Sequence, residues 1–376
     1  MYRLTAPCLF GLEKTLSFEI KRAGGTNILM KDGRAFFDGD ENVIAKMNIT
    51  SSVAERVQIV LGEFNAFDFD QIFEGAKNAP IEEFVGKENS FPVAKGHSLN
   101  SKITSIPAIQ RTIKKALVER MKEKYKTELL PESGTVLPIH FLLQKNVMLL
   151  TLDTTGASLH KRGYRSRSGE APIRETLAAG MIDLARVKTG DIVCDPFCGS
   201  GTILIEAVMK QLNIAPGINR SFIAARWECF HKEVWEREYK EAKERIKNDN
   251  VTNITLYGFD KDKEAVKLAE ENAKKVGVDK YIRFAKREIK DFSYPKTPSK
   301  IITNPPYAQR MLDETETDEI YRTMGEKMLP LGENSLFVIT SKESFPDLFG
   351  KKADKERKLY NGMLKCRLYS YLGDRS

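Results

Sequence analysis

"GDIVCDPFCGSGTILIEAVMK", residues 190–210, is the stretch on which the fold turns. "DIVCD" reads as a short buried strand, "PFCGSGT" as a tight turn with two glycines, and "ILIEAVMK" as the opening of a helix. A strand, a glycine loop and a helix in that order place backbone N–H groups and the positive helix end at the strand's carboxyl edge, beside any ligand bound there. Gly199 and Gly201 permit positive φ and a close approach of that ligand. From here to the C-terminus strands and helices alternate, which predicts a doubly wound, mostly parallel sheet.

The loop excludes two common ligands. No Gly-Lys-Ser/Thr follows, so it is not a phosphate loop. An acid precedes the glycines, and Asp195 would repel a pyrophosphate, so the dinucleotide fingerprint does not fit either. Asp195 suits a ligand with a positive amino group, and S-adenosylmethionine carries an ammonium, a sulfonium and no phosphate. A second acid is expected on the ribose hydroxyls. Asp260 supplies it, ending the strand in "ITLYGFDKD" ahead of the helix "KEAVKLAEENAKKV". It lies far beyond the roughly 20-residue spacing of a dinucleotide fold. The intervening "LNIAPGINRSFIAARWECFHKEVWEREYKEAKERI" predicts an insertion beside the sheet. The next strand, "YIRFAKREIKDF", offers Glu288 near the adenine amine, with Asp291 as the alternative.

"IITNPPYAQR" (301–310) ends a further strand on the same carboxyl edge. A residue before proline is pushed to extended φ/ψ, which fixes the Asn304 backbone. Pro305 and Pro306 bring carbonyls but no donors. The local atoms are therefore mainly acceptors: the Asn304 side-chain oxygen and the Pro305 carbonyl. Aimed at the two hydrogens of a planar exocyclic amine, they draw its nitrogen toward tetrahedral geometry as a methyl group arrives. Tyr307 would stack on the base. Catalysis of this kind is positioning plus preorganised electrostatics and needs no strong base.

Upstream, residues 1–64 form an α/β block. "YRLTAPC" and "RAFFDGD" read as strands, "GLEKTLSFEIKRAGG" as a helix stopped by Gly-Gly, and "ENVIAKMNITSSVAERVQIVLGEF" as a helix and a strand, together a ferredoxin-like unit. The second block, 65–157, begins with the helix "DFDQIFEGAKNA". A polar and basic stretch follows, then a long amphipathic helix with Ile109, Ile113, Leu117 and Met121 on one face and Lys114, Lys115 and other basic residues off it. Two strands joined at Gln144–Asn146 end the block. In "LHKRGYRSRSGEAPIRETLAAGMI", Lys161, Arg162, Arg165 and Arg167 surround Tyr164, and a helix is expected from Pro172. The third block runs from 158 to 376.

With 376 residues the chain is long enough for two or three domains. A net charge of +8 suits a polyanionic partner. Five scattered cysteines fit free thiols in a reducing cytosol, and isolated histidines give no metal site. "MYRLTAPCLF" has no signal-peptide pattern, and no run reaches the apolar length of a membrane span, so a cytoplasmic protein is expected.

The chain resembles the amino-methylating class I S-adenosylmethionine-dependent methyltransferases. Within them it is most similar to the THUMP-domain guanine-N2 methyltransferases of large-subunit ribosomal RNA, the RlmL-like branch that includes the YpsC-like bacterial proteins. "LHKRGYR" joined to "APIRETLAAGMI", then "DPFCGSGTILIEA", "GFD" and "NPPYAQR", occur in that family's order. Upstream, "GLEKTLSFEI", "FFDGD" and "FPVAKGHSLNSKITSIPAIQRTIKKALVERM" resemble its ferredoxin-like and THUMP segments. The resemblance implies N-terminal ferredoxin-like and THUMP α+β modules, and a C-terminal Rossmann-like methyltransferase domain with a mostly parallel seven-stranded sheet whose last strand is antiparallel. It implies that Asp195, Phe197, Gly199, Ser200, Gly201 and Thr202 surround the methionine part of the cofactor. Pro172–Thr176 would close over its carboxylate end, and Asp260 would hold the ribose. Asn304, Pro305, Pro306 and Tyr307 would hold the target base. It also implies RNA binding by the N-terminal blocks, with which Lys114 and Lys115 of the long helix, and Lys161, Arg162 and Arg165 around Tyr164, agree. Adenine-N6 methylation of DNA or RNA is the alternative reading, since the same chemistry serves any exocyclic amine. A catalytically silent RNA-binding or assembly factor is the third.

Overall fold

The computed structural model describes residues 1–165, 173–247, 254–307, 313–362 and 364–374. The chain begins β1 (Tyr2–Pro7), α1 (Glu13–Ala23), β2 (Thr26–Lys31), β3 (Arg34–Gly39), α2 (Glu41–Thr50) and β4 (Gln58–Asn65). It continues α3 (Phe69–Lys77), β5 (Val93–Leu99), α4 (Ile106–Tyr125), β6 (Ile139–Gln144) and β7 (Val147–Asp153). Local signals set these boundaries. Gly24, at φ +96°, ends α1 and returns its N–H to Ile20 and Lys21. Asp40 caps α2 by accepting from the Val43 N–H.

These seven strands form one sheet in the order β2-β3-β1-β4-β7-β6-β5. The ferredoxin-like and THUMP blocks share it, because β4 pairs antiparallel with β7 along its whole length. Neither β2 nor β5 is a strand in the sequence reading. Both are sheet edges with largely exposed side chains, so neither shows the apolar alternation that marks a half-buried strand.

The second half holds α5 (Glu175–Leu184), β8 (Ile192–Asp195), α6 (Thr202–Leu212), α7 (Lys232–Glu244), β9 (Leu256–Asp260), α8 (Lys263–Val276) and β10 (Ile282–Lys286). It ends β11 (Ser299–Thr303), α9 (Glu314–Met328), β12 (Ser335–Thr340), α10 (Phe345–Phe349), β13 (Lys355–Asn361) and β14 (Leu364–Tyr371). Helix α5 starts at Glu175, later than expected, and Pro172 lies outside the described residues. The sheet order is β10-β9-β8-β11-β12-β14-β13. Strands β10, β9, β8, β11 and β12 are parallel, and β14 runs antiparallel between β12 and β13. The C-terminal ends of β8, β9 and β11 therefore share one edge. Strand β13 is absent from the sequence reading: "KERKLYN" is an edge strand with four exposed charged residues at its start.

The insertion between α6 and β9 does more than lie beside the sheet. It brackets the two halves. The Gly217 N–H donates to Ile49 O at 2.8 Å, His231 Nδ1 lies 3.0 Å from Glu41 Oε2, and Arg237 donates to Asn42. Inside the bracket Phe222 meets Trp235 and Tyr239. On the other side Gly180 of α5 allows Leu12 to press in: a Cβ there would sit 2.5 Å from a Leu12 methyl. One apolar core consequently runs from α1 and β1 into α5 and α6.

Candidate active site

The glycine loop is pinned to the end of β9. Cys198 N–H donates to Phe259 O at 2.8 Å, and Gly199 N–H donates to Asp260 Oδ2 at 2.9 Å. Asp260 Oδ1 accepts from the Asp262 N–H as well, so both of its oxygens are oriented by backbone donors. From α8, Asn272 Nδ2 donates to Ser200 O at 3.0 Å. Gly201, at φ +79°, lets α8 and β10 close in, since a Cβ would meet Ala269 Cβ at 3.0 Å. Gly199 is the opposite case. At φ +49° its missing Cβ would meet nothing within 4 Å, so it faces open space at the strand edge. That open cradle beside an oriented carboxylate fits a ligand with a hydroxylated ribose.

Asp195 is 1% exposed. Its Oδ1 accepts from the Phe197 N–H at 3.1 Å and from Thr303 Oγ1 at 2.6 Å. Burial pushes its pKa up to about 7, against the pull of those two donors, and the nearby Asp260 charge raises it too. The geometry thus gives Asp195 a role beyond the expected contact with an ammonium: it ties β8 to β11. Phe197 is half-buried against the smaller core, while Ser200 Oγ lies 3.2 Å from Thr202 Oγ1.

Asn304 follows Thr303 directly. Its Oδ1 is buried and has no hydrogen-bond partner among the described residues. A buried acceptor without a donor carries a desolvation cost, and an exocyclic amine would supply the missing hydrogen. The rest of the tetrapeptide is held from behind. Pro306 O accepts from Tyr321 OH at 3.2 Å, and Tyr321 OH lies 2.8 Å from Thr340 Oγ1. Asn361 Nδ2 donates to Tyr307 OH at 3.0 Å. The Tyr307 residue is only 5% exposed, which corrects the expectation of an open stacking ring: here it is a packed anchor of the loop.

The other expected site residues are placed as follows. Thr176 is fully buried and donates to Glu55 Oε1 at 2.6 Å, so its hydroxyl faces the N-terminal half. Glu288 is exposed and pairs with Lys290 at 2.8 Å, and Asp291 is exposed as well. Arg162 and Tyr164 cannot face RNA in this arrangement. Arg162 is 4% exposed and donates to Ser52 O, Leu159 O and Glu206, and Tyr164 OH donates to Glu206 Oε1 at 3.1 Å. Arg165 holds the loop itself, with Nη2 donating to Thr202 Oγ1 at 2.7 Å and to Ile173 O at 3.0 Å. Lys114 is turned onto Glu132 at 2.6 Å and lies 3.5 Å from the Phe91 ring centroid. Lys115 and Lys161 are exposed, and Arg167 lies outside the described residues. Thr303, Asn272 and Asn361 were not singled out from sequence. For Thr303 the signal was present, a hydroxyl at a strand end next to Asn304. Asn272 and Asn361 carry none.

A cavity of about 490 Å³ opens between α1, α2, α5 and α6, away from Asp195, Asp260 and Asn304. Among the described residues no group of His, Cys, Asp and Glu is placed to hold a metal ion, and no helix is long and apolar enough to cross a membrane.

Comparison with known proteins matches three segments of the chain. Residues 162–370 match the family described as RMKL-like, methyltransferase domain; residues 3–58 match the RlmL ferredoxin-like domain and residues 66–153 the THUMP domain. The chain is 36% identical over 372 residues to YpsC of Bacillus subtilis, covering 98% of this chain and 96% of that protein. It is 30% identical over 374 residues to the ribosomal RNA large subunit methyltransferase K/L of Syntrophotalea carbinolica, covering 96% of this chain but 52% of that protein. It thus spans about half the length of the K/L relative. The crystal structure of SMU.472 complexed with SAH superimposes with a TM-score of 0.93 at 38% identity, covering 100% of this chain and 99% of that one. The chain belongs to the RMKL-like methyltransferase family, in the form that carries RlmL-type ferredoxin-like and THUMP domains ahead of the catalytic domain.

Proposed function

We propose that the protein is an S-adenosylmethionine-dependent RNA methyltransferase that modifies guanine N2 of large-subunit ribosomal RNA. The observation that carries the reading is the buried Asn304 Oδ1, which has no partner among the described residues, on the sheet edge that also bears the Gly199 cradle. Support for RNA comes from the THUMP segment and from the name of the K/L relative. Support for the cofactor comes from the family and from SMU.472, solved with SAH. The three blocks, 1–64, 65–157 and 158–376, would act as a ferredoxin-like support, an RNA-binding module and the catalytic domain.

In this reading the cofactor, when bound, supplies an electrophilic methyl group on a sulfonium. Asp260 takes the ribose hydroxyls, and the Gly199–Thr202 turn accommodates the methionine part. Asn304 Oδ1 and the Pro305 carbonyl accept the two amine hydrogens and turn the nitrogen lone pair toward the methyl carbon. Transfer would form the N–C bond as the C–S bond breaks, with Asn304 Oδ1 and the Pro305 carbonyl holding the amine hydrogens until one proton is lost to water. Preorganised acceptors act here without reorganisation at the moment of transfer.

The test is transfer of labelled methyl from S-adenosylmethionine to ribosomal RNA and to duplex DNA, followed by nucleoside analysis. The expected product is N2-methylguanosine in RNA. Methyladenine as the sole product would replace guanine by adenine N6, which the same acceptor pair serves. No cofactor binding in calorimetry would instead favour a silent RNA-binding factor.

A further inference from the structure

The glycine loop belongs to the second half of the chain, but one segment beside it is held from the first. Between α2 and β4, Glu55 is fixed by its own backbone: its N–H donates to Pro7 O at 2.8 Å, and its O accepts from the Leu159 N–H at 2.9 Å. So anchored, the side chain reaches across the junction and meets three groups. Thr176 Oγ1 donates to Glu55 Oε1 at 2.6 Å, His160 Nδ1 lies 2.9 Å from Oε2, and Arg174 Nη1 lies 3.6 Å from Oε2. Burial on its own would raise the Glu55 pKa. The bonds with His160 and Thr176, and the Arg174 charge nearby, bring it below the usual glutamate value, so the group is a carboxylate at neutral pH.

The segment Ile173–Thr176 has two sides. Arg174 and Thr176 meet Glu55. Ile173 and Glu175 meet Arg165, whose Nη2 donates to Ile173 O at 3.0 Å and whose Nη1 lies 3.7 Å from Glu175 Oε1. The same guanidinium donates at 2.7 Å to the hydroxyl of Thr202, the first residue of α6 after Gly201. A run of polar contacts therefore leads from Glu55 through the first turn of α5 to the glycine loop. At its inner end two polar atoms of opposite character remain. Glu175 Oε2 and Arg165 Nε are buried and have no hydrogen-bond partner among the described residues, and Glu175 is 3% exposed. Buried polar atoms are as a rule paired. The methionine part of the cofactor carries both complements, an ammonium that donates and a carboxylate that accepts.

We propose that Glu55 is a positioning residue for cofactor binding: it holds Arg174 and Thr176 so that Glu175, between them, stays beside Arg165 and the glycine loop. The ferredoxin-like half thereby contributes to a site built in the catalytic half. This role rests on the cofactor assignment above. Groups set in place beforehand spare the ligand the cost of ordering them, so loss of the hold weakens binding and leaves the chemical step alone.

The far end of α5 offers a matched control. There Thr15 Oγ1 of α1 donates to Asp183 Oδ2 at 2.9 Å, again a threonine hydroxyl on a carboxylate across the same junction. The experiment compares the full chain with Glu55→Gln, Thr176→Val, Thr176→Ser and Thr15→Val. SAH binding is read by calorimetry at a temperature where each is folded, and melting temperature is read without ligand. Glu55→Gln and Thr176→Val are expected to weaken SAH binding about tenfold, and Thr176→Ser to keep parent affinity. Thr15→Val is expected to lower the melting temperature as Thr176→Val does, yet to bind SAH like the parent. In methyl transfer the KM for S-adenosylmethionine should rise with Kd in the first two variants, with kcat within about twofold of the parent. Parent-like SAH affinity in either Glu55→Gln or Thr176→Val overturns the role. An equal loss in Thr15→Val overturns it too, since any loosening of the junction would then suffice. The binding comparison uses no RNA: a parent that binds SAH but methylates no RNA removes the substrate reading and not this one, whereas a parent that binds no SAH removes both.

Discussion

Thr303 Oγ1 lies 2.6 Å from Asp195 Oδ1 and donates to it, with both residues buried. This one bond joins the carboxyl ends of β8 and β11. The glycine loop begins on one side of it and the Asn304 tetrapeptide on the other. A hydroxyl that donates to a buried carboxylate contributes about 1.5–3 kcal/mol. Thr303→Val keeps the shape and removes the donor. We expect a stability loss of that size in urea unfolding, weaker SAH binding in calorimetry, and recovery of both in Thr303→Ser.

Asp195 also sets a pH dependence. Burial raises its folded pKa from 3.8 to about 7. The native state therefore holds the proton more tightly than the unfolded chain. The stability this contributes is complete below 3.8, declines as the pH rises, and is lost above about 7. Asp195→Asn mimics the protonated side chain and still accepts from Thr303 and Phe197. Its melting temperature, relative to the parent, should rise from pH about 4 to about 7 and level off above that in the cofactor-free protein. A constant difference across that range would show that Asp195 is ionised throughout.

A buried pair holds the arginine that reaches across the junction, where Arg162 donates to Ser52 O at 2.6 Å. Arg162 Nε lies 3.4 Å from Glu206 Oε1, one turn along the helix that Thr202 begins. Removing one partner of a buried pair leaves a charge without compensation and costs about 3–5 kcal/mol, whereas replacing both by apolar groups is often tolerated. Arg162→Met should lower the unfolding midpoint strongly. The double variant Arg162→Met with Glu206→Leu should regain most of the loss.

The second sheet's parallel core and its ligand edge were readable because each central strand is a short apolar run closed by a distinctive residue: Asp195, Asp260 and Asn304. The strands that escaped were β2, β5 and β13, all at sheet edges, where exposed and charged side chains erase the periodic signal. Site residues showed the same division. Gly199, Asp260 and Asn304 stand where their motifs put them. Arg162 and Tyr164 read as a basic, aromatic RNA patch, yet they are buried against Glu206, 42 or more positions further along the chain. A charge run does not reveal its partner when the partner comes from a distant helix. Likewise Tyr307 reads as a free ring in the sequence, whereas Asn361, from an edge strand that carries no periodic signal, donates to its hydroxyl.

The central claim is that Asn304 Oδ1, buried and without a donor among the described residues, is the acceptor for the amine under attack. The direct measurement compares parent and Asn304→Ala in two assays, SAH binding by calorimetry and single-turnover methyl transfer to ribosomal RNA. The account predicts SAH affinity within about threefold of the parent and a transfer rate lower by about 10²–10³-fold. Equal losses in binding and transfer would make Asn304 a structural residue of the cofactor edge and would contradict the account.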